Sequence, residues 1–214
     1  MVVQLVLAST SPARLATLRS AGLAPRVQVS SVDEPATIAA LEAGGTRLGP
    51  AEHALALART KRDDVAESLV PEAGSTKTPT LVLGCDSVLE FGGEVHGKPE
   101  TASVAVERWR RMRGGEGVLH SGHAITDLAT GRQVSRTAST VVHFADLSDA
   151  EIDAYVATGE PLWVAGGFTV DGLGGAFVTG IEGDYHNVVG VSLPLLRELL
   201  LELGIGWWDL ERAV

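Results

Sequence analysis

In the stretch TLVLGCDSVLEF (80–91), the first five residues, TLVLG (80–84), predict a buried strand, because they are strongly apolar and favour extended structure. Gly92 and Gly93 follow directly and are typical of a hairpin turn. Asp86 comes just after these apolar residues, and a carboxylate at the end of a buried strand needs a partner or a function. This stretch therefore indicates both a core strand and a candidate site residue.

Around this strand, helix and strand patterns alternate along the chain. A short strand precedes a helix that Ser11 caps, with Pro12 at the first helical position. We expect residues 31–49, which carry several glycines, to be mostly loop. The later predicted elements are a helix from Pro50, a helix over 101–113, strands over 117–128 and 133–144, a helix after the capping box of Ser148 and Glu151, and a final helix to Leu203. This order predicts an α/β fold with a mixed sheet, as one domain over 1–214 or one domain with two lobes.

The composition indicates a globular protein and argues against several other classes. Hydrophobic residues make up 45% of the 214 residues and the formal net charge is −10, a globular mixture with an acidic balance. That balance argues against binding to a nucleic acid polymer, which needs a basic surface. Cys85 is the single cysteine of the sequence, which excludes an intrachain disulfide. With no basic leader and no apolar run near the ~20 residues of a membrane span, we expect a cytoplasmic protein without a membrane partner.

The segment LASTSPAR (7–14) is a candidate anion site. It places three hydroxyl side chains, including that of Ser9, at a turn from strand to helix. The start of a helix has free N–H groups and a partial positive charge, which suit an anion. Arg14 in the first turn adds a cation. The alternative is an ordinary helix cap with a solvated Arg14.

Two lysines are further candidates for binding phosphate. The segment GGEVHGK (92–98) fits the first part of a P-loop motif, but Pro99 stands where that motif requires a serine or threonine hydroxyl, so we reject a P-loop. Lys98 is nevertheless held between a glycine and a proline, which limits its backbone freedom. Lys61 lies near the edge of the apolar face of the second helix. The alternative for each is a lysine on the surface.

Acidic residues could form a metal site. Glu34 and Asp86, if the fold brings them together, would bind a hard divalent cation, which often shares such ligands with substrate phosphates. The alternatives are an Asp86 that satisfies backbone N–H groups and a solvated Glu34. His120 and His123 stand three apart on one predicted strand and so point to opposite faces, which argues against a shared zinc ion.

Five segments together resemble the Maf family of nucleoside triphosphate pyrophosphatases. They are spread over nearly the whole chain, and their combination is specific although each is short. The segments are LVLASTSPARLATLRSAGL (5–23), VSSVDE (29–34), GCDSVLEFGGEVHGKPET (84–101), LSDAEIDAYVATGEP (147–161) and IEGDYHNVVGVSLPLLRELL (181–200).

The resemblance implies a two-lobed α/β fold with a central cleft, similar to that of inosine triphosphate pyrophosphatases. It implies hydrolysis of normal or modified nucleoside triphosphates between the α and β phosphates, giving a monophosphate and pyrophosphate, with Mg²⁺ or Mn²⁺. By motif position, Asp86 corresponds to the catalytic aspartate that accepts a proton, and Glu34, Lys61 and Lys98 to the other charged positions of the cleft. Ser9 and Arg14 fall on the phosphate-binding turn, although Ala13 replaces one arginine of the frequent double arginine.

The resemblance leaves the preferred base open. Ser87 and Asp171 fall on the two positions that differ between members with different base preferences, and this pair matches neither pattern. The family also implies a homodimer. An alternative function, since Maf proteins are linked to septum formation, is a nucleotide-binding regulator of cell division with little turnover. We expect the three cations and a divalent ion to offset the roughly four charges of a triphosphate in a locally electropositive cleft.

Overall fold

The computed structural model describes residues 2–45, 47–73 and 78–213, and in them a mixed sheet of seven strands packs with seven α-helices. The strands are β1 (Gln4–Ala8), β2 (Arg26–Val27), β3 (Thr80–Phe91), β4 (Glu94–His96), β5 (Glu116–Asp127), β6 (Gln133–Phe144) and β7 (Val178–Glu182). The helices are α1 (Pro12–Ser20), α2 (Glu34–Glu42), α3 (Pro50–Ala73), α4 (Ala102–Met112), α5 (Asp149–Ala157), α6 (Tyr185–Val189) and α7 (Leu193–Glu202). The predicted α/β class with a mixed sheet is confirmed.

The sheet runs in the order β2-β1-β3-β5-β6-β7, and β4 pairs with β3. Strand β1 is parallel to both β2 and β3, whereas β3, β5, β6 and β7 pair antiparallel. The parallel part requires crossover connections, which α1 and α3 provide, and the antiparallel part is built from the long β5–β6 hairpin. The sheet is therefore mixed because the early strands are joined through helices and the later strands through a hairpin, as the order of elements in the sequence indicated.

Both faces of the β1–β3 pair are buried, which explains the uninterrupted apolar run of β3. Leu5 and Leu83 point to one face and pack in a core cluster with α1 and α7. Val6 and Val82 point to the other face and pack against Val65 of α3. Since side chains alternate between the faces of a strand, a strand covered on both sides needs apolar residues at every position.

A second large core cluster lies around the far part of β3. Leu89 packs there with Trp109 and Met112 of α4 and with Ile152 of α5. Asp86 thus lies in the middle of the strand, between the two clusters, and not at the strand end that the apolar run 80–84 indicated. Strand β3 continues through this point because its antiparallel ladder with β5 runs from Leu81 to Glu90.

One edge of β3 is open where Asp86 lies. Strand β1 pairs with β3 only as far as Gly84, and β4 pairs with it only from Leu89 onward. Among the described residues, no strand pairs with this edge over residues 85–88. The chain leaves the sheet at the carboxyl end of β1, next to this opening, and forms the start of α1. The sheet is therefore interrupted at the candidate site residue.

Helix α3 approaches the sheet closely because two strand residues have no side chain. A Cβ atom at Gly84 would lie 2.1 Å from the Ala58 carbonyl oxygen, and one at Gly122 would lie 2.3 Å from that of Ala54. Only glycine allows this distance between helix and strand. The close contact fixes α3, and with it Lys61, against β3.

The structure corrects one predicted region. Residues 31–49 are not mostly loop, because Glu34–Glu42 form α2. The Asp33 side chain accepts a hydrogen bond from the Ala36 N–H and caps this helix, and Pro35 lies in its first turn. No residue of α2 is buried, so the apolar periodicity that marks a packed helix is missing.

Helix α7 has the most apolar sequence of the later elements. It buries Leu195, Leu196, Leu199 and Leu200 against the sheet. In the described part of the chain, no helix combines the length and apolar character needed to cross a membrane. The two-lobed division, the relation to inosine triphosphate pyrophosphatases, the homodimer and the cytoplasmic location stay predictions.

Candidate active site

The candidate residues meet in one place. A cleft of about 1580 Å³ opens beside the interrupted edge of β3. Every candidate site residue identified from the sequence lines it: Ser9, Arg14, Glu34, Lys61, Asp86, Ser87, Lys98 and Asp171. The fold therefore brings residues from distant parts of the chain together in one cleft.

Lys61 joins the two candidate carboxylates. Its Nζ lies 2.6 Å from Glu34 Oε1 and 2.6 Å from Asp86 Oδ1. The Lys61 and Asp86 side chains are about nine-tenths buried, whereas Glu34 is half-exposed. One ammonium group therefore holds the first turn of α2 and the middle of β3 together. Lys61 is thus not a lysine on the surface, and the hydrogen-bond partner of Asp86 among the described residues is the Lys61 ammonium and not a backbone N–H group.

The two carboxylates differ in proton affinity. Burial raises the pKa of the Asp86 carboxyl, and the charges of Lys61 and Arg14 oppose this increase only in part. Burial acts in the same direction on Glu34, but the hydrogen bond and charge of Lys61, with Lys98 and Arg14, outweigh it and lower the pKa of Glu34. Asp86 is thus the better proton acceptor of the pair.

Arg14 fills the open edge of β3. Its guanidinium donates hydrogen bonds to the Gly190 carbonyl at 2.8 Å, and to Ser9 Oγ, the Cys85 carbonyl and Ser87 Oγ at 3.0 Å each. The Cys85 carbonyl belongs to the stretch of β3 that has no strand partner on this side. A guanidinium has five N–H groups, so four are used within the protein and one is left. Arg14 is buried, not solvated.

Ser9 and Ser11 organise the turn before α1. The Ser11 side chain accepts from the Arg14 N–H and caps the helix, and Pro12 follows at its first position, as predicted. Ser9 Oγ accepts from the Ser11 N–H and from Arg14 Nη1. Ser9 still has its hydroxyl hydrogen to donate, and it lines the cleft.

Lys98 is an exposed residue of the cleft lining. In the described part of the chain it forms no hydrogen bond or ion pair, although its charge helps to lower the pKa of Glu34. The remaining candidates differ from each other. Ser87 is bound to Arg14 and lies 2.7 Å from Ser121 Oγ, which makes it part of the supporting network. Asp171 is exposed on a loop at the cleft.

The cleft lining is more acidic than the sequence led us to expect. Four arginine and lysine residues line it against seven aspartate and glutamate residues, a formal balance of −3. The additional carboxylates come from α2 and the loop before α4, and they confine the expected electropositive character to part of the cleft. Only the immediate surroundings of Asp86, with Arg14, Lys61 and Lys98, have more cations than anions.

Some functional groups had no clear sequence signal. Trp163, Thr169 and Phe168 line the cleft from a glycine-rich segment, and the sequence patterns considered above identified none of them. Glu160 anchors that segment through bonds to residues up to 14 positions away, which no local pattern reveals.

Burial raises the pKa of the Cys85 thiol to about 11, so Cys85 is not a thiolate nucleophile at neutral pH.

The donor set of the cleft is suited to a divalent cation that arrives with substrate. Within the described residues no group of three or more His, Cys, Asp or Glu side chains could hold a metal ion on its own. Glu34 and Asp86 each have one carboxylate oxygen that Lys61 does not bind. Two carboxylates, with substrate phosphates and water completing the shell, form the kind of site that Mg²⁺ takes in phosphate chemistry.

Known proteins resemble this chain over most of its length. The model of the Maf-like protein family matches residues 4–203. A nucleoside triphosphate pyrophosphatase of Salinispora tropica is 54% identical over 209 residues, covering 96% of this chain and 88% of the relative. Proteins of the same name from Streptomyces coelicolor and Mycobacterium marinum are 54% and 48% identical, covering 97% and 94% of this chain and 94% of each relative. The chain belongs to the Maf family.

Proposed function

We propose that this protein hydrolyses nucleoside triphosphates between the α and β phosphates, giving a nucleoside monophosphate and pyrophosphate. The observation that carries the proposal is the bridge of Lys61 between Glu34 and Asp86, each at 2.6 Å, within a cleft that Ser9, Arg14 and Lys98 also line. The names of the relatives, at about half identity over nearly the full chain, support the same reaction.

The phosphate chain would be bound from two sides. On one side are the start of α1, the Ser9 hydroxyl and the remaining N–H of Arg14, and on the other is the unpaired ammonium of Lys98. A charge pair 4 Å apart is worth about 4 kcal/mol at an effective dielectric of about 20, before the cost of desolvation. Three cations at this distance would offset most of the charge of a triphosphate.

A divalent cation would supply the rest. Glu34 and Asp86 would hold Mg²⁺ or Mn²⁺ together with substrate phosphates, and the acidic lining of the cleft favours a substrate that carries such an ion. When bound, the ion would neutralise charge that develops on the pyrophosphate leaving group. Binding of the ion would compete with Lys61 for the carboxylates, which makes Lys61 free to contact phosphate.

Asp86 would activate the water. In the free protein Asp86 Oδ1 accepts from Lys61, and the ion would replace Lys61 there; Oδ2 has no hydrogen-bond partner among the described residues, so it would remain free to accept from a water in the cleft. As the water oxygen attacks the α phosphorus, its proton passes to the Asp86 carboxylate and the bond to pyrophosphate breaks. The raised pKa of Asp86 makes it a stronger base than an ordinary aspartate.

The test is a panel of nucleoside triphosphates incubated with the purified protein, with and without Mg²⁺ or Mn²⁺, and analysed by chromatography. The proposal expects a monophosphate and pyrophosphate in equal amounts and only with a divalent ion. Inclusion of all common bases and several modified ones measures the base preference that Ser87 and Asp171 leave open.

The same panel separates the proposal from the alternatives. A nucleoside diphosphate with inorganic phosphate would show cleavage at the γ position and contradict the proposal. Tight nucleotide binding without any product would instead favour the regulatory function linked to septum formation. Turnover that is unaffected by a chelator would contradict the proposed requirement for a divalent ion.

A further inference from the structure

Trp163 is an exposed aromatic side chain at the edge of the cleft. It is 66% exposed and lines the cleft, while the deeply buried Trp109 belongs to the core. Its indole has no aromatic or cationic ring contact among the described residues. The other strongly exposed tryptophan, Trp208, lies outside the cleft and has the Arg212 guanidinium 4.2 Å from its ring centre. Trp163 is therefore a large apolar face open to whatever enters the cleft.

The backbone that carries Trp163 is fixed to the segment that carries Lys98. The Gly166 N–H donates to the Gly97 carbonyl at 3.1 Å, and the Glu100 N–H donates to the Leu162 carbonyl at 2.9 Å. These two bonds flank Trp163 on one segment and Lys98 on the other. The indole and the ammonium are thus mounted on one hydrogen-bonded pair of segments.

A second set of bonds fixes the same loop from the other side. Glu160 lies three residues before Trp163, and its carboxylate accepts from the Thr169 hydroxyl and from the N–H groups of Leu173 at 3.0 Å and Gly174 at 2.9 Å. The Tyr155 hydroxyl also donates to Glu160, at 3.0 Å. The loop is closed around one carboxylate, so the backbone that carries the indole is fixed and does not need to be ordered on binding.

We propose that Trp163 binds the nucleobase of the substrate by stacking against its face, at the rim of the cleft and beside the phosphate-binding Lys98. This inference rests on the proposed function and adds a contact to it. The cleft, at about 1580 Å³, is larger than the 300–1,000 Å³ of common small-molecule sites, so a bound phosphate chain leaves room for a nucleoside.

Stacking also accounts for the type of residue. Every base has a π face, so an indole contributes affinity without reading the hydrogen-bonding edge of the base. An apolar side chain that is mostly exposed on a fixed loop has no stabilising role in the core, and a bound base would cover it. The contact would therefore increase affinity for all nucleotides and leave discrimination to other residues.

The test compares Trp163→Ala, Trp163→Phe and the control Trp208→Ala in equilibrium binding, measured by calorimetry. The probes are the α,β-methylene analogues of ATP, GTP, CTP and UTP, and inorganic tripolyphosphate, all with Mg²⁺. Truncation of a stacking aromatic costs roughly 1–3 kcal/mol per base, so Trp163→Ala should bind each analogue about 5- to 150-fold more weakly. Its affinity for tripolyphosphate should not change, and Trp163→Phe should recover most of the loss.

Each result supports or overturns the inference. Trp208→Ala should bind as the wild type does, and an unchanged unfolding midpoint for Trp163→Ala shows that the fold is intact. Equal affinity of Trp163→Ala and wild type for the analogues would overturn the inference while leaving the proposed function in place. A loss confined to one base, or an equal loss for tripolyphosphate, would also overturn it. Absence of analogue binding by the wild type would remove the proposed function as well.

Discussion

Lys61 lowers the pKa of both carboxylates, because one ammonium group contacts Glu34 and Asp86 at the same distance of 2.6 Å; burial outweighs this effect only at Asp86. A buried carboxylate without a partner lowers the stability of a protein. Removal of one member of a buried ion pair is therefore strongly destabilising, because the other charge is left without compensation. In the free protein Lys61 supplies that partner. In the proposed complex, the metal and the phosphate chain would take over its contacts, so the same three side chains serve both states.

Replacement of Asp86 by asparagine removes the proposed base with almost no change in shape. We expect kcat to fall about 10²- to 10⁴-fold, the usual contribution of a positioned acid–base group, with little change in folding. The measurement is the steady-state release of pyrophosphate. The matched control is Asp153→Asn on the exposed face of α5, away from the cleft, which should keep wild-type kinetics. A loss of less than threefold in Asp86→Asn would remove Asp86 from its central role.

The pH dependence of kcat/KM also tests the role of Asp86 as base. Turnover requires the ionised carboxylate, and burial raises the pKa of Asp86 above the 3.8 of an ordinary aspartate. As the pH falls, kcat/KM should therefore decline earlier than an ordinary aspartate would cause. Since the charge of Lys61 lowers the pKa of Asp86, Lys61→Met should move this decline to still higher pH. A decline that stays in place or moves to lower pH in Lys61→Met would contradict this assignment.

At the level of helices and strands, the site depends on how closely α3 lies on β3. Gly84 is two residues from Asp86, and its missing side chain accommodates Ala58 and Arg62, which lie within one turn of Lys61 on α3. The distance between helix and strand thus sets the distance between the ammonium and the carboxylate. The open edge of β3, filled by Arg14, supplies the remaining space for a substrate.

Gly84→Ala should disturb stability and activity together. The new Cβ atom would meet the Ala58 carbonyl oxygen at 2.1 Å and the Arg62 nitrogen at 2.8 Å, both backbone atoms that can yield only if α3 moves. We expect a loss of about 1–3 kcal/mol or more in the free energy of unfolding, with lower kcat. Urea titration measures it.

Gly44→Ala is the matched control for that substitution. A Cβ atom there has no neighbour within 4 Å, and the residue does not have a positive φ. Its stability should change by less than about 0.5 kcal/mol. Wild-type stability in Gly84→Ala would show that α3 is not held by this contact.

His123 links β5 to α7. Its Nδ1 lies 3.0 Å from the Ser121 carbonyl oxygen, and its Nε2 lies 2.8 Å from the Ser192 nitrogen, so Nδ1 donates and Nε2 accepts in a neutral ring. Burial lowers the pKa of His123 from 6.5 to about 4. Below about pH 6.5, His123 is protonated in the unfolded chain, whereas in the folded chain it stays neutral until about pH 4. Stability should therefore fall as the pH decreases through this range, by up to about 1.4 kcal/mol per unit.

His123→Gln tests this pH dependence. Glutamine can donate to Ser121 and accept from Ser192 without titrating, so the variant should lose this part of the decline in stability between about pH 6.5 and 4. Urea titrations at several pH values measure it, with the half-exposed His186→Gln as control. The same acid-induced decline in His123→Gln and wild type would contradict the role of His123.

Local chemistry made several elements predictable, and non-local contacts made others unpredictable. The caps at Ser11 and Ser148 depend on residues within three positions, and the apolar run of β3 depends on burial alone, so each is visible in the sequence. Helix α2 was missed because it buries no residue and has no apolar face to detect.

The site was predictable in part for the same reason. The resemblance identified Asp86, Glu34 and Lys61, but only the fold shows that one ammonium bridges them. The loop around Glu160 and the exposed face of Trp163 depend on bonds between residues distant in sequence. No periodicity or spacing carries that information.

For the whole molecule, the net charge of −10 and the acidic lining of the cleft both oppose the approach of a free polyanion. A free triphosphate would be repelled by this surface at distances shorter than the Debye length of about 8 Å at physiological ionic strength. The cations around Asp86 act only at short range. We infer that the protein takes up its substrate as a complex with a divalent ion, which reduces the charge that the cleft must accept.

The position of water attack tests the central claim most directly. Hydrolysis of a nucleoside triphosphate in oxygen-18 water, followed by mass spectrometry of both products, shows which phosphorus the water attacked. Attack on the α phosphorus, with Asp86 as base, predicts one labelled oxygen in the nucleoside monophosphate and none in the pyrophosphate. Label in the pyrophosphate, or in inorganic phosphate, would contradict the account.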